Sequence, residues 1–348
     1  MDIDNRLKVL VVDDAAFMRK AVTAILESDP GIEVVGEAVN GLEALEKIRN
    51  LHPDVITLDI DMPVMNGLSA IRHIMIESPL PVVALSSLIS DGAATFEALR
   101  LGVVDFIPKP SGAVSNDIDR VKQLIIDRIK VAQTVNLANL RRVRLNDKWG
   151  DSKRLETLYN YQPLEYIIAI GTNLAGPNTV IRLISKLLPT LPAAVIVSQE
   201  ISPKIIDSFT RKFNEYVPWR MKVARDGMPV EQGVCYLSSN ENAVSMGGDF
   251  RGKPSLKVLR KTKDPLNHLF TSIAKIFHQN SIGVLLNGTG KDGAKGFASI
   301  NKKCGTTIAQ ATDCCVYPNL TQNAIAAGVV DLKLDENQLA DGIASVVV

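Results

Sequence analysis

The stretch Val55-Ile56-Thr57-Leu58-Asp59-Ile60-Asp61-Met62-Pro63-Val64-Met65-Asn66-Gly67 decides how the first third of this chain folds. Its apolar start reads as a buried strand, and the strand stops abruptly in two carboxylates and a proline. A second apolar run, Leu7–Val12, stops the same way in Asp13-Asp14. Further strand candidates are 33–38, 82–86 and 104–107. Amphipathic patterns lie between them; Met18, Ala21, Val22, Ile25 and Leu26, for example, form one apolar stripe. Five strands alternating with five helices in roughly 120 residues predict a flavodoxin-like α/β domain with a five-stranded parallel sheet, whose ligand site lies at the carboxyl ends of the strands.

In that strand order β-strands one and three are neighbours, so Asp13, Asp14, Asp59 and Asp61 converge on one edge. Carboxylates packed together repel unless a cation neutralises them, and an oxygen-rich site with open positions suits Mg²⁺, which keeps waters and recruits phosphate oxygens. Lys109 ends the fifth strand, where its point charge can pair with a phosphoryl oxygen, and Ser86 ends the fourth, where its hydroxyl can donate to the same group.

With Asp-Asp, Asp-x-x-Met-Pro-x-x-Asn-Gly, Ser-Ser and Lys-Pro at successive strand ends, residues 7–128 resemble the receiver domain of two-component response regulators. The resemblance implies that Asp59 accepts a phosphoryl group from the phosphohistidine of a histidine kinase. It implies that Asp13 and Asp14 hold Mg²⁺ with the main-chain carbonyl of Asp61, and that Lys109 pairs with the phosphate. Ser86 and Phe106 match the hydroxyl and aromatic switch positions.

Residues 129–162 begin as a helical continuation, turn basic (Lys130, Arg141, Arg142, Arg144) and become polar and aperiodic, which reads as a linker. From 163 to 348 a second strand–helix alternation predicts another doubly wound, mostly parallel α/β domain. Its strand candidates are 166–170, 193–197, 221–224, 234–237, 255–259, 283–286, 306–310 and 329–332. Two strand-to-helix turns stand out: Gly171-Thr172-Asn173-Leu174-Ala175-Gly176-Pro177 and Asn287-Gly288-Thr289-Gly290-Lys291-Asp292-Gly293. Such turns display nucleophiles beside helix amides.

The order receiver, linker, then these two turns resembles the chemotaxis protein-glutamate methylesterases of the CheB type over nearly the whole chain. Arg225-Asp226-Gly227, Val234-Cys235-Tyr236-Leu237 and Thr307-Ile308-Ala309-Gln310 add to the match. The resemblance implies a Ser-His-Asp triad that removes methyl esters from chemoreceptor glutamates and deamidates receptor glutamines. This chain departs from it at two of three positions: Asn173 stands where the serine belongs and Glu200 where the histidine belongs, and only Asp292 matches. An amide cannot attack an acyl carbon as an alkoxide would, and a carboxylate cannot shuttle a proton as imidazole does near neutral pH. Thr172, Thr289 and Lys291 neighbour the site. If the fold is kept, Glu200 and Asp292 are expected to face one another, sharing a proton or a cation, or neutralised by Lys291.

Gly288-x-Gly290-x-x-Gly293 also fits the dinucleotide fingerprint, with Asp313 twenty residues beyond Gly293 in the place of a ribose-binding acid. Three readings of the second domain therefore stand: a degenerate methylesterase that acts by binding, for instance to a chemoreceptor; an active methylesterase or deamidase; and a dinucleotide-binding module. A formal net charge of +1 and the lack of a helix-turn-helix pattern argue against nucleic acid. The four cysteines, without paired spacing, read as reduced thiols. An acidic amino terminus and the lack of any apolar run near 18 residues predict a cytoplasmic protein with no membrane insertion.

Overall fold

The computed structural model describes residues 6–86, 92–109, 118–140, 143, 145, 149, 163–174, 176–248, 252–260 and 262–347; the side chains of residues 86, 108 and 118–120 fall outside the description. Of the linker expectation, Arg141, Arg142 and Arg144 lie outside the described residues. The chain divides into two compact units, Met1–Arg142 and Val143–Val348.

In the first unit five strands, β1 (Leu7–Val12), β2 (Ile32–Ala38), β3 (Val55–Asp59), β4 (Val82–Ser86) and β5 (Asp105–Pro108), form a parallel sheet ordered β2-β1-β3-β4-β5. Their near-continuous Val, Ile and Leu runs suit strands covered on both faces. Five helices provide that cover: α1 (Ala16–Glu27), α2 (Gly41–Leu51), α3 (Gly67–Glu77), α4 (Gly92–Leu101) and α5 (Ile118–Gln133). The flavodoxin-like order predicted from the sequence is the order observed. Helix α5 continues five residues beyond Arg128, and a short 3-10 turn follows at Leu137–Asn139.

Two local devices set the active edge. Asn66 caps α3 by accepting from the Ser69 amide, and Asn40 caps α2 by accepting from Glu43. Gly67 lets α3 begin directly against the end of β3. A Cβ there would fall 2.2 Å from the Asp59 carbonyl oxygen, and the Gly67 amide instead donates to Ile60 O.

The second unit carries a seven-stranded sheet and a two-stranded one. Its strands are β6 (Tyr166–Gly171), β7 (Ala193–Gln199), β8 (Arg220–Val223), β9 (Val234–Ser239), β10 (Asn242–Gly248), β11 (Pro254–Arg260), β12 (Ser281–Leu285), β13 (Thr306–Gln310) and β14 (Leu332–Leu334). The large sheet is ordered β14-β13-β12-β6-β7-β9-β8, and every pairing in it is parallel. Strands β10 and β11 form an antiparallel ribbon. The helices are α6 (Gly176–Lys186), α7 (Ile206–Asn214), α8 (Pro265–Phe277), α9 (Ala294–Asn301), α10 (Asn319–Ala326) and α11 (Leu339–Val346).

One apolar core, with Phe270, Phe297, Leu266, Leu269 and Ile273, locks α8 and α9 onto this sheet. Each such side chain contributes roughly 1.5–3 kcal/mol through burial. The predicted last strand at 329–332 is displaced. Val329 and Val330 follow a left-handed Gly328 (φ +68) and pack on the core, so pairing with β13 starts only at Leu332.

Strand β6 is central, and the chain leaves it toward β7 on one side and returns through β12 on the other. The crevice of such a sheet opens where this direction reverses. The two turns singled out from the sequence are the ones that follow β6 and β12.

Candidate functional sites

In the first unit, β1 and β3 are paired with Val12 opposite Leu58, which brings the next residues of β1 beside Asp59. Asp13, Asp14 and Asp59 each present a carboxylate oxygen, and these oxygens lie within 4.8 Å of one another. Asp13 and Asp59 are buried, while Asp14 is exposed. Lys109 reaches both buried acids, with Nζ 2.6 Å from Asp13 Oδ2 and 2.8 Å from Asp59 Oδ2.

Burial pushes the Asp59 carboxyl above its ordinary range; Lys109 opposes the rise and the charge of Asp13 adds to it. Burial also works against the charge on Lys109, but its two carboxylate partners outweigh it and raise its pKa. Three carboxylates face one ammonium, so the edge carries excess negative charge and offers only oxygen ligands. Those properties fit a hard divalent cation such as Mg²⁺.

The other residues expected here are placed as follows. The Asp61 carboxylate is exposed and stands outside the cluster, so the role implied for Asp61 rests on its carbonyl. Phe106 lies on β5, half-buried against the core. Ser86 closes β4, and its side chain lies outside the described residues.

In the second unit the turns after β6 and β12 are bound together. Asn173 Nδ2 donates to Thr289 O at 2.8 Å, and Asn173 Oδ1 accepts from the amides of Thr289 (2.7 Å) and Leu174 (2.8 Å). Thr172 is fully buried and donates to Asn287 O at 2.5 Å. Gly288 permits the approach, since a Cβ there would fall 2.2 Å from Asn173 Oδ1.

Behind the turns lies a polar network that the sequence reading did not pick out. Asn240 donates to Thr172 O and accepts from Ser198. Asn287 donates to Thr179 Oγ1 and accepts from the Val316 amide. Arg182 holds Thr179, Asn178 and Glu336. The only signal in the sequence was the number of asparagines near strand ends, and isolated asparagines read equally well as turn residues.

Asp292 is half-buried, and both its oxygens face α8: Oδ2 accepts from the Leu266 amide at 2.8 Å and Oδ1 from Asn267 at 3.0 Å. Asn267 returns the arrangement by accepting from the Gly293 and Gly296 amides at the start of α9. Burial raises the Asp292 carboxyl above its usual range; the two amides oppose this, and the nearby charge that adds to it is that of Asp264.

Glu200 stands exposed on the loop after β7. Lys291 is exposed and makes no ion pair among the described residues. The expected Glu200–Asp292 pairing thus meets an Asp292 already turned toward helix α8. Next to Glu200, Gln199 is fully buried, and neither atom of its amide has a hydrogen-bond partner among the described residues.

The same hydrogen bonds bear on the nucleotide expectation. A pyrophosphate needs free amides along the glycine turn. Here the Gly288 amide donates to Tyr317 O, Thr289 to Asn173, and Gly293 and Gly296 to Asn267. The turn also follows β12, on the far side of β6, whereas the fingerprint belongs after the first strand of the unit.

Comparison with known proteins agrees with this architecture. The family model for the response regulator receiver domain matches residues 9–116, and that for CheB methylesterase matches residues 168–343. A protein-glutamate methylesterase/protein-glutamine glutaminase of Pyrococcus horikoshii is 35% identical over 99% of this chain and 94% of its own length. One of Pyrococcus abyssi is 36% identical over 94% and 90%, and one of Halalkalibacterium halodurans 34% identical over 98% of each. With a receiver fold whose acids converge on Asp59, and a second fold built around the turns at Asn173 and Asp292, the chain belongs to the CheB methylesterase family of chemotaxis response regulators.

Proposed function

We propose that Asp59 takes a phosphoryl group from a histidine kinase, and that the second domain answers by binding rather than by ester hydrolysis. Phosphoryl transfer makes a bond between an Asp59 carboxylate oxygen and phosphorus and breaks the phosphorus–nitrogen bond of phosphohistidine; the imidazole nitrogen takes up a proton. The ionised form of Asp59 is required, and Lys109 at 2.8 Å favours it against burial. Asp13, Asp14 and Asp59, with the carbonyl of Asp61, would hold Mg²⁺, which draws the phosphoryl oxygens in and offsets their charge. Lys109 then pairs with the new phosphate in place of the carboxylate, and Ser86 donates to it.

The loss of hydrolysis rests on one observation: the Asn173 amide is spent on Thr289 and Leu174. A triad needs a nucleophile with a base beside it and a free amide next to it for the oxyanion. At this position the side chain is not nucleophilic, the following amide at Leu174 is occupied by Asn173 itself, and both oxygens of Asp292 cap α8. The second domain is then a phosphorylation-controlled binding module, with a chemoreceptor as its partner. No described helix is long and apolar enough to cross a membrane, in keeping with the cytoplasmic placement we propose.

The activities named for the relatives favour a second reading, an active methylesterase or glutaminase. Methanol release from methylated receptor membranes, with and without a small acyl phosphate, separates the two. The binding reading expects no release above background together with phosphorylation-dependent cosedimentation. Phosphorylation-stimulated methanol release would refute it, and phosphoryl uptake by Asp59→Asn would refute the phosphoacceptor assignment.

A further inference from the structure

Arg19, on α1, does not belong to the acid cluster, yet it is bonded to its main chain. One guanidinium nitrogen, Nη1, donates to the carbonyl oxygens of both Asp13 (2.9 Å) and Asp14 (3.0 Å). On the other side its Nε donates to Glu37 Oε2 at 3.1 Å. Glu37 is itself fixed: its Oε1 accepts from Thr23 Oγ1 at 3.0 Å, and its main-chain carbonyl accepts from Lys47 Nζ. The loop leaving β1 is thus tied to α1, the end of β2 and α2 through a single side chain, which is only 14% exposed.

The bearing on the site comes from Asp14. Asp13 has its own restraints: its Oδ1 accepts from the Ala15 amide, its Oδ2 meets Lys109, and its amide donates to Ala38 O. The Asp14 carboxylate is exposed and has no hydrogen bond or ion pair among the described residues, so only its backbone determines where it sits. The carbonyls on both sides of the Asp14 α-carbon are held by Arg19.

We propose that Arg19 is the positioning residue for cation-dependent phosphoryl uptake, setting the Asp13–Asp14 carboxylates around the divalent ion through their carbonyls. The proposal rests on Asp59 being a Mg²⁺-dependent phosphoacceptor. Two effects of opposite sign compete at Arg19. Its charge repels a nearby cation, while its hydrogen bonds hold the ligands in place. The Glu37 carboxylate at 3.1 Å offsets the charge, so the holding effect dominates.

The test titrates the full-length chain with Mg²⁺ by calorimetry and measures the Mg²⁺ dependence of phosphoryl uptake from a small acyl phosphate. Arg19→Ala should weaken Mg²⁺ binding about tenfold, as loss of an outer-shell partner does. Uptake at saturating Mg²⁺ should recover to near the wild-type rate. Arg19→Lys keeps one donor group and should fall between. Arg6→Ala, which removes the ion pair from the residue before β1 to Glu33 on β2, should change neither reading.

Unchanged or tighter Mg²⁺ binding by folded Arg19→Ala would overturn the proposal, as would a rate that stays low at saturating Mg²⁺. If Arg19→Ala fails to fold, Arg19→Gln carries the same expectation. Calorimetric binding needs no phosphotransfer, so a chain that binds Mg²⁺ but takes up no phosphate would discredit the phosphoacceptor reading alone. A wild type that binds no Mg²⁺ would discredit both.

Discussion

Replacing Asn173 by alanine should weaken the second domain without touching the first. The substitution removes three hydrogen bonds: two to the main chain of Thr289 and one from the Leu174 amide. Each is worth roughly 1 kcal/mol net when both partners are partly buried, so the loss is about 3 kcal/mol. Both tryptophans, Trp149 and Trp219, lie in the second unit, and Trp219 is fully buried with its indole N–H on Leu187 O. Tryptophan fluorescence therefore reports that unit alone. With a slope of about 3 kcal/mol/M, the urea midpoint should fall by about 1 M.

Two companion variants probe the same bridge. Asn173→Ser restores a hydroxyl but not the bridge, so it should lose similar stability and gain no esterase activity. Gly288→Ala drives a methyl into Asn173 Oδ1 and breaks the same bridge, so the double variant with Asn173→Ala should cost clearly less than the two single effects added. A midpoint shift below about 0.2 M for Asn173→Ala, on the same urea scale, or additive double-variant effects, would show that the two turns are held by something else. Methyl-ester hydrolysis by Asn173→Ser would show that the rest of the site is still intact.

Three further outcomes are expected. Burial raises the Asp292 carboxyl in the folded state, so its proton stabilises the fold fully below the unfolded value near 3.8, and that stability is lost as pH rises through the higher folded value. Asp292→Asn should thus gain in urea midpoint relative to wild type as pH rises from 4 to 7; a pH-independent difference would refute this. Exposed Val64 holds φ at +67, a left-handed conformation that costs a β-branched residue roughly 1 kcal/mol, so Val64→Asn should raise the receiver's calorimetric melting temperature by about 3–5 °C, and no rise would refute the strain. Burial pushes the Cys315 thiol up to about 12 and raises that of Cys235 further, whereas Cys304 is exposed; a thiol reagent should show one fast reaction, abolished by Cys304→Ser, and fast labelling of Cys235 would contradict the packing.

The receiver was legible because its chemistry sits at strand ends and its strands have a period that apolar residues reveal. Leu58-Asp59 and Val12-Asp13 mark both an end of burial and the start of the acid edge, so one pattern gives fold and site together. In the second unit the apolar runs marked most strands of the large sheet, and the site was legible only at the two glycine turns. Strand β10 escaped notice because Asn242–Gly248 mixes Ser, Gly and Met and takes its place from pairing with β11, not from its own pattern. Helices α10 and α11 are eight residues each and, unlike α9 of the same length, do not follow a glycine turn that marks their start. Arg19 was equally hidden: its effect runs through carbonyl oxygens, and main-chain acceptors leave no trace in side-chain motifs.

The glycine turn after β12 shows why a motif needs its hydrogen-bond partners before it can be assigned a chemistry. By spacing alone, Gly288, Gly290 and Gly293 satisfy a nucleotide fingerprint and a methylesterase turn equally well. What separates them is where the amides point. A phosphate site keeps its amides free until the ligand arrives, because their unmet donors are the binding energy. In this chain the Thr289 amide is taken by Asn173, that of Gly288 by Tyr317 O, and those of Gly293 and Gly296 by Asn267. Asn173 and Asn267 both act through side-chain amides; Asn173 donates to the Thr289 carbonyl and accepts from the Thr289 amide, and so joins the two turns. Asn173, at the position where the resemblance places a serine, supplies the bridge. Two turns tied together in this way form a rigid surface, and a rigid surface loses less entropy when a partner binds.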